Sequence, residues 1–66
     1  MESNIQRARM VGWEERIDEL KEKLNQAGVE NTEYRLEILD DLSNAYASLI
    51  MVIDLEIELN KAKINP

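Results

Sequence analysis

One glycine-centred break in an otherwise uninterrupted helical pattern constrains this chain more than any other feature. The residues before Ala27-Gly28-Val29 and those after it each carry apolar side chains at helical spacing, and the chain's single Pro is Pro66. Two helices and one reversal are what such a pattern can build.

The first stretch is the more regular. Met10, Trp13, Ile17, Leu20, Leu24 and Ala27 are spaced 3, 4, 3, 4 and 3 residues apart, which places all six on one narrow heptad stripe. Glu14, Glu15, Asp18, Glu19, Lys21, Glu22 and Lys23 fall on the other side and read as a solvated face, with Glu19 and Lys23 as an opposite-charge i,i+4 pair and Asp18 and Glu22 as a like-charge one. Ser3, or Asn4, is the expected N-cap, since either side-chain oxygen can accept a first-turn N–H. The expected end is a Schellman stop in which Gly28 is left-handed and Val29 reaches back to Leu24.

Asn31 or Thr32 then caps a second helix, with Glu30 and Glu33 near its positive end. Arg35, Ile38, Leu39, Leu42, Ala45, Tyr46, Leu49, Val52 and Ile53 form one broad apolar face on it, and Lys61 and Lys63 sit in its last turn ahead of Asn65-Pro66. The reading is all-α: an antiparallel helical hairpin with helices over about 4–27 and 32–63 and a turn at 28–31. Residues equidistant from the turn then meet, pairing Leu24 with Leu36, Leu20 with Leu39, Ile17 with Leu42, Trp13 with Tyr46 and Met10 with Leu49. Trp13 and Tyr46 are thereby core aromatics rather than a ligand cage. A competing reading exists for 52–60, because Ile53, Leu55, Ile57 and Leu59 alternate with Asp54, Glu56, Glu58 and Asn60 at the period of a half-buried strand. Helix is preferred there, since Leu and Glu are good helix formers and no turn residue separates this segment from the helix before it.

The hairpin raises a stability problem. A chain of 66 residues buries only about 60% of its unfolded surface, and without Cys it has neither disulfides nor a thiolate zinc site to compensate. Ile50, Met51, Leu55 and Ile57 lie outside the stripe that helix 1 can cover, and each large aliphatic side chain gains roughly 1.5 to 3 kcal/mol when fully buried. They are the expected oligomer interface, giving a homodimeric four-helix bundle, or else a docking surface for a different protein.

Charge narrows the partner. With 8 Lys plus Arg, 14 Asp plus Glu and no His, the net charge is −6, and residues 36–60 hold six acids and no Lys or Arg. That balance argues against docking on anionic lipid or nucleic-acid phosphates and in favour of a basic protein surface. Glu37, Asp40, Asp41, Asp54, Glu56 and Glu58 are the expected partner contacts. Glu56 alone projects onto the apolar side, near Ser3 in the hairpin pairing, where it is expected to stay solvated or to pair with Arg7. Arg7, Arg9 and Arg16 could touch nucleic acid, but three arginines in an acidic chain are better read as ion-pair partners.

Enzymatic chemistry finds little footing. Without His or Cys there is no imidazole base or thiol nucleophile, and Gly12 and Gly28 make no phosphate-cradling loop. Asp40 and Asp41 are adjacent and diverge on a helix, while the pairs Glu14 with Asp18, Glu15 with Glu19 and Asp18 with Glu22 lie on an open face that cannot encircle an ion. No catalytic, cofactor or metal site is expected. The first dozen residues hold no apolar block of signal-peptide length, and the longest apolar run, Leu49 to Ile53, is far below the roughly 20 residues that cross a bilayer, so a cytoplasmic protein is expected.

Two helical-hairpin families offer partial likenesses. In plan the chain resembles the plasmid-encoded RNA-binding repressors of primer, which implies a homodimeric four-helix bundle; their basic RNA-binding face has no counterpart in the acidic segment 36–60. Ile17, Leu20, Gly28 and Val29 resemble the frame of the short hairpin phosphatases of the sporulation phosphorelay, but the position of their Ser-Gln-Glu-Leu-Asp motif reads Leu39-Asp40-Asp41-Leu42-Ser43, so that activity is not implied. The expected function is that of a small acidic regulatory or inhibitory module, of the kind a phage or mobile element encodes, that occupies a basic surface of another protein. The alternative is a structural protein whose role is its own assembly.

Overall fold

The structure, a computed structural model, describes the backbone of residues 2–64 and the side chains of residues 7–64. It consists of two α-helices, α1 (Glu2–Gln26) and α2 (Thr32–Ile64), packed against each other along a hairpin about five times longer than it is thick, with extents of 55 × 15 × 10 Å. Ser3 and Asn4, the expected caps, lie inside α1, because the helix is already formed at Glu2. Asn65 and Pro66 lie outside the described residues.

The α1 stripe packs as its spacing predicts. Ile17 and Leu20 are buried, and Trp13, Leu24 and Ala27 pack on the core from its edges, with Leu20 only 2% exposed. On α2 the core is narrower than the broad face the sequence displays. Ile38, Leu42, Ala45 and Val52 are buried and Leu49 packs beside them, a run spaced 4, 3, 4 and 3 that matches the heptad of α1. Leu36, Leu39 and Tyr46 are exposed, so the expected pairings of Leu24 with Leu36, Leu20 with Leu39 and Trp13 with Tyr46 do not form buried layers of the core. Volume and polarity explain the choice. The small Ala45, 2% exposed, lies in the core on which the Trp13 indole packs, and a small side chain there leaves volume for large ones. Tyr46, whose hydroxyl would need a buried partner, sits instead at the rim, with Lys21 Nζ 5.9 Å from its ring centroid.

The reversal is also built differently from the expected Schellman stop. No glycine has a positive φ among the described residues, and Val29 is 84% exposed, so Gly28 is not left-handed and Val29 makes no return contact with Leu24. The Ala27 N–H donates to Lys23 O at 3.0 Å, and the turn is closed by the Asn31 N–H donating to Gly28 O at 3.0 Å. The last carbonyls of α1 find their donor across the hairpin: Arg35 Nη1 reaches Leu24 O at 3.2 Å and Ala27 O at 3.5 Å. A half-buried guanidinium on α2 thus satisfies the groups that a left-handed glycine would have satisfied from within the turn, and it brings positive charge to the negative end of α1. Asn31 is the cap of α2, since its carbonyl accepts the Arg35 N–H at 2.9 Å.

Segment 52–60 is continuous α-helix, which removes the strand alternative. In an unbroken helix the alternating Ile53, Leu55, Ile57 and Leu59 are dealt onto different sides: Ile53 and Leu59 are half-buried and Leu55 and Ile57 exposed.

Candidate functional site

The described part of the molecule offers surfaces rather than a cavity. Two shallow grooves indent it, one lined by Met51, Asp54, Leu55 and Glu58 on α2, the other by Arg9, Gly12, Trp13 and Arg16 on α1. Among the described residues no cluster of three metal-ligating side chains forms, and no helix is long and apolar enough to cross a membrane.

The six expected partner-contact acids separate by position. Glu37, Asp40, Asp54 and Glu58 lie along the side of α2 that faces away from α1, and all four are exposed. Asp41 is also exposed but lies three residues after Ile38 and four before Ala45, both buried, and so sits on a flank of the hairpin rather than on its back. Glu56 is in the seam, half-buried, four residues beyond Val52 on the same stripe. It does not pair with Arg7. Its Oε1 accepts from Asn60 Nδ2 at 3.2 Å, while its Oε2 is enclosed without a hydrogen-bond partner among the described residues. Asn60 Nδ2 also donates to the Glu56 carbonyl at 2.8 Å.

Few of the charges neutralise one another. Among the described residues the ion pairs are Arg16 with Glu19 at 3.7 Å and Glu58 with Lys61 at 3.6 Å, both between exposed side chains, where such pairs add about 0–1 kcal/mol. Glu19 turns to Arg16 rather than to Lys23, three residues being as good a spacing as four on a helix. The negative charge of Glu37, Asp40 and Asp54 is not offset by an ion pair within the described chain.

The four expected oligomer residues also divide. Ile50 and Ile57 are exposed on the flank one residue on from the buried seam, which is about 100° round the helix. Leu36, Leu39, Tyr46 and Ile64 share that flank, and the full set of positions 36, 39, 43, 46, 50, 53, 57, 60 and 64 repeats the 3, 4 spacing of a second heptad. Met51, 67% exposed, lies instead on the outward side among Asp54 and Glu58, and Leu55, two heptads after Asp41, lies on the opposite flank and lines the same groove. Sequence reasoning named Ile50 and Ile57 but missed Leu36, Leu39 and Tyr46 as surface, having assigned them to the core. The signal that could have found them is the double heptad itself, two 3, 4 runs one residue apart.

Comparison with protein-family models, with curated proteins and with solved structures gave no match to this chain. The likeness to known hairpins therefore remains one of plan.

Proposed function

We propose that this chain is a non-enzymatic protein-binding module that presses the outward side of α2 onto a basic surface of a partner protein. The observation that carries the reading is the single sign of the charge on that side, where two acidic clusters, Glu37 with Asp40 and Asp54 with Glu58, flank a neutral stretch. Glu37, Asp40, Asp54 and Glu58 are exposed along it, and no Lys or Arg occurs from residue 36 to residue 60. Such a stripe steers a basic partner during encounter and disfavours acidic ones. The groove of Met51, Asp54, Leu55 and Glu58 supports it further, since an apolar floor between two carboxylates suits a Lys or Arg side chain whose aliphatic stem and cationic tip need different surroundings.

The test begins by capturing a partner and then measuring the complex. Binding should weaken steeply with added salt and should weaken again in an Asp40→Lys, Asp54→Lys variant that retains wild-type helicity. Binding that ignores both salt and charge reversal would remove the proposal.

A second reading is favoured by a separate observation. Ile50, Ile57 and their neighbours on the flank of α2 are too exposed for a hairpin this small to leave in water, and a second copy of the chain would bury them in a dimer, doubling the acidic surface at the same time. Assembly could then be the whole role of the chain, or the means by which it presents its acids. Sedimentation equilibrium at micromolar concentration separates the cases, because a stable folded monomer would exclude self-assembly and leave the acidic module standing.

A further inference from the structure

We infer that the second copy packs on the flank stripe of α2, antiparallel to it and in one register; the inference rests on the self-association reading above and specifies its contact. Three observations select this arrangement.

The first is the area. Leu36, Leu39, Tyr46, Ile50, Ile57 and Ile64 are each between two-fifths and three-quarters exposed. All but Leu36 meet a partner in the register below, and those five present on the order of 500 Å² per copy, more than half of the roughly 800 Å² that each side of a standard interface buries. Met51 and Leu55, away from this flank and bordered by acids, add no comparable area.

The second is the match of polar with polar. The stripe is interrupted twice, by Ser43 and by Asn60. Antiparallel pairing that sets Ile50 against Ile53 of the second copy also sets Tyr46 against its Ile57, Leu39 against its Ile64 and Ser43 against its Asn60. Both polar residues then face each other, and every other layer is apolar. Sliding one copy by a heptad towards the turn sets Ser43 against Ile53 and Asn60 against Leu36, and sliding it the other way sets Asn60 against Ile50. Each slip strands a polar side chain among aliphatics and forfeits its hydrogen bonds.

The third is charge. A parallel pair would also match like residues, but it would lay the acidic first half of α2 beside its own copy and Lys61 and Lys63 beside theirs. The antiparallel pair brings Lys61 of one copy towards Asp40 of the other at the edge of the stripe and opposes the two helix dipoles.

The experiment has two parts. In sedimentation equilibrium the wild-type chain should show the mass of two chains, Ile50→Glu and Ile57→Glu should each weaken the dimer by about tenfold or more, and Met51→Glu should leave it unchanged. Circular dichroism verifies that the variants stay helical, as expected for side chains that α1 does not cover. The chain lacks Cys, so disulfide trapping can then fix the register: Ser43→Cys mixed with Asn60→Cys should cross-link on oxidation, and neither should cross-link alone. A wild-type monomer would remove the self-association reading itself. A dimer broken by Met51→Glu and spared by Ile50→Glu would keep that reading and overturn this inference, and Ser43→Cys cross-linking to itself would overturn the antiparallel register.

Discussion

The two stripes of α2 have the same spacing and nearly the same residue types, yet one is core and the other is surface. Ile38, Leu42, Ala45, Leu49 and Val52 are covered by α1, whereas Leu36, Leu39, Tyr46, Ile50 and Ile57, one or two residues away, keep about half of their surface in solvent. The difference shows that periodicity nominates faces and that a neighbouring helix then selects one. A single partner helix covers one stripe of roughly 100° and no more. What selects is fit: the small Ala45 is fully enclosed in the core that Trp13 packs on, and Tyr46, with a hydroxyl that burial would have to satisfy, stays exposed.

The sharpest way to break this comparison is to truncate one residue from each stripe. Leu42→Ala should cost about 2–5 kcal/mol in chemical denaturation, a loss that a hairpin of this size barely survives. Leu39→Ala should cost less than about 1 kcal/mol in dilute solution, where exposed surface loses little by truncation. If a second copy covers the stripe, that smaller cost grows with protein concentration. Equal costs for the two at every concentration would mean that Leu39 and not Leu42 alone belongs to the core.

A smaller effect tests how the two helices are joined rather than how they face. Arg35→Met keeps most of the side-chain stem but leaves Leu24 O and Ala27 O without their donor, and should destabilise by about 1–2 kcal/mol in urea melts. Arg35→Lys should recover only part of this, as an ammonium lacks the spread of a guanidinium between two carbonyls. A melt unchanged by Arg35→Met would mean that water serves those carbonyls equally well.

The smallest effect separates the observed turn from the Schellman stop. Gly28→Ala should leave the melting temperature unchanged or raise it, a gain of about 0.4–1 kcal/mol being usual where the native backbone suits alanine. Gly28 has no positive φ, and an added Cβ would meet only Glu30 Oε1 at 3.9 Å. A loss of about 1 kcal/mol or more would instead indicate a left-handed residue.

Much of the architecture was legible in the residues. The α1 stripe from Met10 to Ala27 specified its own buried face, and the break at Gly28 placed the reversal within a residue or two. The acidic side of α2 was legible in part: four of the six acids named from the sequence share the outward side, while Asp41 falls on a flank and Glu56 in the seam. Glu56 shows why the rest was hidden. Its position on the stripe is a matter of spacing, but whether its carboxylate reaches water or Arg7 depends on how α1 passes it, and Oε2 reaches no partner among the described residues.

Two helices, their order, one reversal and a negative second helix can be read from the residues alone. These follow from forces that act over one turn or a few: the 3.6-residue period of apolar side chains, the missing Cβ of glycine and the charge along a single helix. Which of two similar stripes became core, which residue closes the C-terminus of α1 and which acids face outward were settled by the packing of one helix on the other. Those outcomes depend on volumes and hydrogen-bond partners contributed by residues distant in the chain, such as the α2 core on which Trp13 packs and Arg35 for the carbonyl of Leu24, and no local period encodes them.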